Sequence, residues 1–289
     1  MNLFDDFDDE YIRHDDIPDI TRANVIHITI PRSVTHIGDD TFSDCTSLRT
    51  ITIPPSVTHI GERAFQYCKK LRAVTIPSSM THIGQRAFYG CKSLATVTIL
   101  PGVTKIAQRA FQYCKNLETI AIPPSVTHIR ERAFFACTSL ATVTIPPGVS
   151  HIGERAFQFC KNLRTVTIPS SVTHIGQGAF LGCDGLRTVT ILPGVTKIGQ
   201  DAFYRCTSLK TVTIPPSVTK IGQNAFYSCT NLMAVNADEA TIALDPDLQR
   251  VVAWRQRLQA FVGAMSSQDS IHKLLPLHPL FDFLRHDDI

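Results

Sequence analysis

From Phe42 onward, every twenty-third residue is a phenylalanine: Phe42, Phe65, Phe88, Phe111, Phe134, Phe157, Phe180, Phe203 and Phe226. All nine cysteines keep the same step, from Cys45 to Cys229, and so do nine leucines, from Leu48 to Leu232. A fixed spacing in this range constrains the fold more than any composition can. Each unit is too small to bury its apolar face alone, so the units must stack on one another as a solenoid. One apolar column runs Ile28, Ile51, Val74, Val97, Ile120, Val143, Val166, Val189, Val212 and Val235. It counts about ten turns, and at the usual strand spacing of about 4.8 Å the rod is on the order of 45 Å long.

One turn can be read from residues 48–70. Ile51 and Ile53 alternate with Thr50 and Thr52, the period of a strand with one face buried. Pro54 and Pro55 end that strand, because proline cannot donate to a ladder. Val57 and Ile60 point inward on the return, in a second short strand, and Gly61 allows the bend that follows. Ala64, Phe65 and Cys68 have the spacing of one helical turn, which places them on one face.

These turns follow L-x-x-I-x-I-P-x-x-V-x-x-I-G-x-x-A-F-x-x-C-x-x and resemble the BspA-like leucine-rich repeat family over about residues 25–235. The departures are few: Leu100 and Leu192 for the first proline, Met80 for the valine, Ala107 and Arg130 for the glycine. The resemblance implies a leucine-rich-repeat solenoid, mainly β. It implies about ten stacked parallel strands with short helical or irregular convex segments, and the sequence beyond the repeats adds C-terminal helices. It also implies a binding protein; adhesion is proposed for secreted bacterial members. Residues 1–19 are read as an acidic, disordered tail, 20–236 as the solenoid, and 237–289 as a helical cap or docking segment. A longer copy unit is visible too, since Thr96 to Ile106 recurs unchanged at Thr188 to Ile198, four turns on.

Three columns could bind something. The first is a threonine ladder on the strand face opposite the core, taken as the concave sheet. One line holds Thr50, Thr96, Thr119, Thr142, Thr165, Thr188 and Thr211; its neighbour holds Thr52, Thr75, Thr98, Thr144, Thr167, Thr190 and Thr213. Threonine suits any exposed strand position, but the same lines offer an even surface of hydroxyls and methyls to a protein partner. The second column is a basic stripe of Arg63, Arg86, Arg109, Arg132 and Arg155, with Lys69, Lys92, Lys115 and Lys161 on the same convex region. Glu62, Glu131 and Glu154 directly precede three of the arginines and soften the field. The third is a histidine column, His36, His59, His82, His128, His151 and His174, in which Lys105, Lys197 and Lys220 fill the remaining places. Because lysine substitutes freely and no carboxylate or cysteine column lies alongside, the row reads as a solvated, pH-sensitive line rather than a metal site.

Charge is uneven. Residues 20–236 carry 22 basic and nine acidic side chains, whereas residues 1–19 carry one and eight. A basic body draws acidic partners and nucleic acid. Nucleic-acid binding calls for aromatics among the bases, and Tyr67, Tyr89 and Tyr113 lie near the stripe, but an acidic protein partner ranks above it. The nine cysteines lie at apolar positions with no C-x-x-C pair, as free thiols in a reducing compartment do. Met1 to Asp19 has no basic start followed by an apolar run, so no signal peptide is expected and the chain is read as cytoplasmic. No stretch has the length of a membrane span. No nucleotide-binding, hydrolase or zinc-protease motif occurs. The expectation is a non-catalytic protein-interaction scaffold without cofactor, metal or evident small-molecule substrate. A secreted adhesin is the alternative, followed by weak nucleic-acid binding through the stripe. Beyond the repeats, Asp245 and Pro246 predict a helix start, with the helix running to about 264. Further helices are expected at 269–275 and 279–285.

Overall fold

The computed structural model describes residues 9–17 and 19–265. Each turn of the repeat has three sides. Ten strands, nine of them bearing threonine, form the first side. Six of them, from His27–Thr29 to Thr142–Thr144, pair in one ladder, and four, from Thr165–Ile168 to Ala234–Asn236, pair in another. The two ladders remain connected, because the Arg164 amide donates to the Ala141 carbonyl at 3.2 Å. All pairings are parallel and step by one repeat, so Thr119 faces Thr96 on one side and Thr142 on the other. This is the register that an unbroken repeat demands.

The second side is a continuous sheet of ten two-residue strands, from Tyr11–Ile12 through His36–Ile37 to Lys220–Ile221. It is the return strand expected from Val57 and Ile60. The third side corrects an expectation. Ala64, Phe65 and Cys68 face the core as their spacing requires, but they do not lie on a helical turn. The segment is a pair of tight turns, in which the Gln66 amide donates to the Arg63 carbonyl and the Cys68 amide to the Phe65 carbonyl. Alternate amides point along the rod instead: those of Arg63, Phe65 and Tyr67 donate to Gln85, Ala87 and Tyr89 of the next turn at 2.8–2.9 Å. Two residues per turn are therefore left-handed, Arg63 with φ 54° and Tyr67 with φ 57° in this one. Side chains with a Cβ occupy that region at some cost. Here the cross-turn hydrogen bonds hold them in it.

The core runs the length of the rod. The nine phenylalanines are buried and stack as nearly parallel rings, with centroids 5.1–5.5 Å apart. Burying each one contributes about 1.5–3 kcal/mol. The cysteines fill the column beside them. From Cys68 to Cys229, each thiol donates to a phenylalanine carbonyl of the preceding turn, at 3.1–3.3 Å. A small apolar side chain with one weak donor is what this position needs.

Both ends are closed. Residues 9–17 depart from the disordered tail expected over 1–19. Tyr11–Ile12 adds the first strand of the histidine sheet, and Ile12 and Ile17 are buried. The Tyr11 ring stacks on His36 at 4.3 Å. Helix α1 (Asp19–Asn24) follows, and its buried Arg22 donates to the Thr41 carbonyl at 2.8 Å. At the far end come helices α2 (Glu239–Ile242) and α3 (Pro246–Met265). Asp245 caps α3 as expected, accepting from the Asp247 and Leu248 amides at 2.9 and 3.0 Å. Leu248 is fully buried and Val251 packs on the core, so α3 lies against the last strand, Ala234–Asn236. The helices expected at 269–275 and 279–285 lie outside the described residues.

Candidate interaction surfaces

The threonine lines stand on the outside of the first side. In strands such as Thr96–Ile99 and Thr142–Thr144, both threonines are exposed while the valine between them is buried. The in-register pairing puts like beside like along the rod. Ala73 and Ala121 interrupt the lines, as the sequence shows. His27 and Asn236 end them, with His27 Nδ1 2.6 Å from Thr50 Oγ1 and Asn236 Nδ2 donating to Thr213 Oγ1 at 3.4 Å.

The basic stripe divides in two. The five arginines, 22–41% exposed, line a groove of about 620 Å³ on the third side. Lys69, Lys92, Lys115 and Lys161 are exposed beyond the cysteines and do not line it. The softening by carboxylates is direct. Glu131 contacts both Arg132 at 2.8 Å and Arg109 at 3.5 Å, Glu154 contacts Arg155 at 3.3 Å, Asp40 contacts Arg63 at 3.0 Å, and Glu62 contacts Arg86 at 3.7 Å. Pairs this exposed contribute about 0–1 kcal/mol each. A guanidinium has five donors, so each arginine keeps some for another acceptor.

The groove floor holds residues that the strict repeat columns concealed. Tyr67, Tyr89, Tyr113 and Phe135 line it, and with Phe159 beyond its lining they make one continuous row, each ring edge-to-face with the next at 5.4–5.6 Å. Their steps are alternately one residue shorter and one residue longer than the repeat, so no single column contains them. Gln66, Gln112 and Gln158 fill the alternate turns of the row and line the same groove. The rings also cover the next turn: a Cβ at Gly90 would lie 2.6 Å from Tyr67 Cδ1, and one at Gly182 2.6 Å from Phe159 Cδ1. Glycine at these places makes room for the ring above. This two-turn alternation was the available signal.

The histidine column is a stacked row. His36 and His59 lie 4.4 Å apart, His128 and His151 5.4 Å, and His151 and His174 6.5 Å. Each Nδ1 lies 2.7–2.9 Å from the hydroxyl of the preceding threonine or serine, which sets the ring plane. Among the described residues, no group of three or more histidine, cysteine or acidic side chains is placed to hold a metal. Burial pushes the Cys45 thiol up to about 11 and the Cys229 thiol up to about 12. Among the described residues, no helix is long and apolar enough to cross a membrane.

A stack of short, equal turns with two parallel sheets and outward-facing ladders is a leucine-rich-repeat solenoid. The chain belongs to the BspA type leucine-rich repeat family, whose profile matches residues 21–141 and 104–233 in six copies. It is similar to a leucine-rich repeat protein of Bacteroides ovatus, with 28% identity and a TM-score of 0.58 over 73% of this chain and 66% of that one. The chain thus spans just under two thirds of that protein. It is also similar to the leucine-rich repeat protein of T. pallidum, with 31% identity and a TM-score of 0.53 over 63% of this chain and 82% of that one. No curated protein matches it.

Proposed function

We propose that the protein is a non-catalytic scaffold that binds a protein partner along the threonine face. The observation that carries this reading is the pair of exposed, in-register threonine lines running along the first side of the rod. Such a surface has little side-chain entropy to lose and offers both methyl contact and hydroxyl hydrogen bonds to an extended segment. Membership of a repeat family whose stacked units present extended surfaces supports it. The nine free, buried thiols support a reducing compartment as the place of action.

The test places a photo-crosslinking residue at Thr98, Thr144 or Thr167 in the full chain and compares capture with a T98R/T144R/T167R variant. One partner crosslinked from all three positions and lost from the triple variant is the expected result. Capture that is unchanged by the three arginines would show that the lines only hold the sheet together.

A further inference from the structure

The groove on the third side holds polar atoms that no internal contact uses. Gln112 and Gln158 are only 7% and 8% exposed, and their Oε1 atoms have no hydrogen-bond partner; Gln66 Oε1, one step earlier in the series, is in the same state. A buried acceptor left without a donor costs about 1–3 kcal/mol. Three of them at a regular two-turn interval, all on side chains that line one groove, can take an N–H or O–H donor of a ligand once their amides turn into it. Around them stand four rings of the aromatic row, from Tyr67 to Phe135, and one arginine per turn from Arg63 to Arg155.

The occupant must repeat with the rod, whose turns advance by the 5.1–5.5 Å of the phenylalanine stack. It must also carry anions, donors and flat apolar faces. An acidic peptide fails on pitch. An extended chain presents side chains to one face every ~6.7 Å, and a polyproline II chain every ~9.3 Å, so neither keeps step with one turn or two. A nucleotide strand advances about 3.4 Å per unit when stacked and further when its bases are splayed apart. It carries one phosphate per unit, its bases supply N–H donors, and their faces pack on aromatic rings.

We propose that this groove binds single-stranded nucleic acid at one nucleotide per turn over the five turns from Arg63 to Arg155. The arginines take phosphates, the rings take base faces, and the glutamine carbonyls take base N–H groups in alternate turns. The aromatic row is already closed edge-to-face, so bases lie on it rather than between its members. This inference goes beyond the protein-binding reading and uses another side of the rod, so either can fail without the other.

The experiment is fluorescence anisotropy of the full chain with short labelled oligo(U), oligo(dT), an abasic strand of equal length and oligo-aspartate, over a salt series. Binding of the base-bearing strands is expected to weaken with salt, with a log–log slope no steeper than about −3.5 for five phosphate contacts. An R109N/R132N variant should lessen that slope by about 1.4. It keeps the backbone, since the same column already holds Asn224 at φ 56°. A Q112M/Q158M variant leaves the charge unchanged. It should weaken oligo(U) and oligo(dT) severalfold and leave the abasic strand alone, with circular dichroism melting confirming the fold. The tighter of oligo(U) and oligo(dT) identifies RNA or DNA as the natural strand. Equal binding of the abasic strand, indifference to the glutamine change, tighter binding of oligo-aspartate, or no binding at low salt would each overturn the proposal.

Discussion

At the scale of single residues, the cysteine column shows how a repeat turns a reactive side chain into a structural one. Each thiol from Cys68 onward is a donor to a phenylalanine carbonyl one turn back, and at Cys68 and from Cys114 to Cys229 burial disfavours the thiolate that would react. Alkylation of the native protein is therefore expected to be slow at neutral pH, and to reach all nine thiols only on unfolding. Quenched labelling with iodoacetamide followed by mass spectrometry measures this. Cys45, held up to only about 11 with Arg22 nearby to favour its anion, should react before Cys229, which burial pushes to about 12. Rapid labelling of Cys137 in the folded protein would contradict the assignment. The column was legible in the sequence because a buried cysteine obeys the same period as its neighbours. Its hydrogen bond was not, since the acceptor is a backbone atom in the turn before, out of step with the repeat.

At the scale of elements, His128 makes the second side sensitive to acid. Burial, with Arg130, His151 and Lys105 nearby, lowers the His128 pKa from its ordinary 6.5. The unfolded chain then binds this proton more readily than the folded one, so His128 contributes stability above about pH 6.5 that is lost as pH falls through its lowered value. The melting temperature should drop as pH falls from neutral into that range, and H128Q should shrink the drop. An unchanged profile in the variant would clear His128 of the effect. The sequence made both strands legible, because alternation with period two and the proline stops leave few other readings. It misled on the third side. The spacing of Ala64, Phe65 and Cys68 suits a helical turn, yet two stacked tight turns satisfy it equally. The discriminating sign was the occupancy of the arginine column, which ends in Gly178, Asp201 and Asn224, residues that tolerate a positive φ. Tyr67, Tyr89 and Tyr113 were visible beside the stripe, but the row they form with Phe135 and Phe159 was not, because its members fall alternately just short of the repeat and just past it. The glutamines escaped because they share a column with tyrosine, phenylalanine and leucine.

At the scale of the whole molecule, stability in a solenoid comes from neighbours, so the number of turns ought to be freely adjustable. The rings resting over Gly90 and Gly182 restrict that freedom. Odd and even turns are different parts in this region: one supplies a ring, the next a glycine or Ala136 to receive it. Removing residues 90–112 would bring Tyr113 to the place of Gly90, where a whole ring as well as a Cβ must be fitted beside the Tyr67 ring. Removing 90–135 would bring Ala136 there, the residue that already holds the equivalent place one turn after Tyr113, with a Cβ alone to accommodate. The two-turn deletion is expected to fold with a melting temperature above that of the one-turn deletion, although it discards twice as much core. A one-turn deletion of equal or greater stability would refute this. The array thus has a parity, and lengths that differ by an even number of turns are its natural increments. The unchanged stretch from Thr96 to Ile106, copied at Thr188 to Ile198, lies four turns away and obeys that rule.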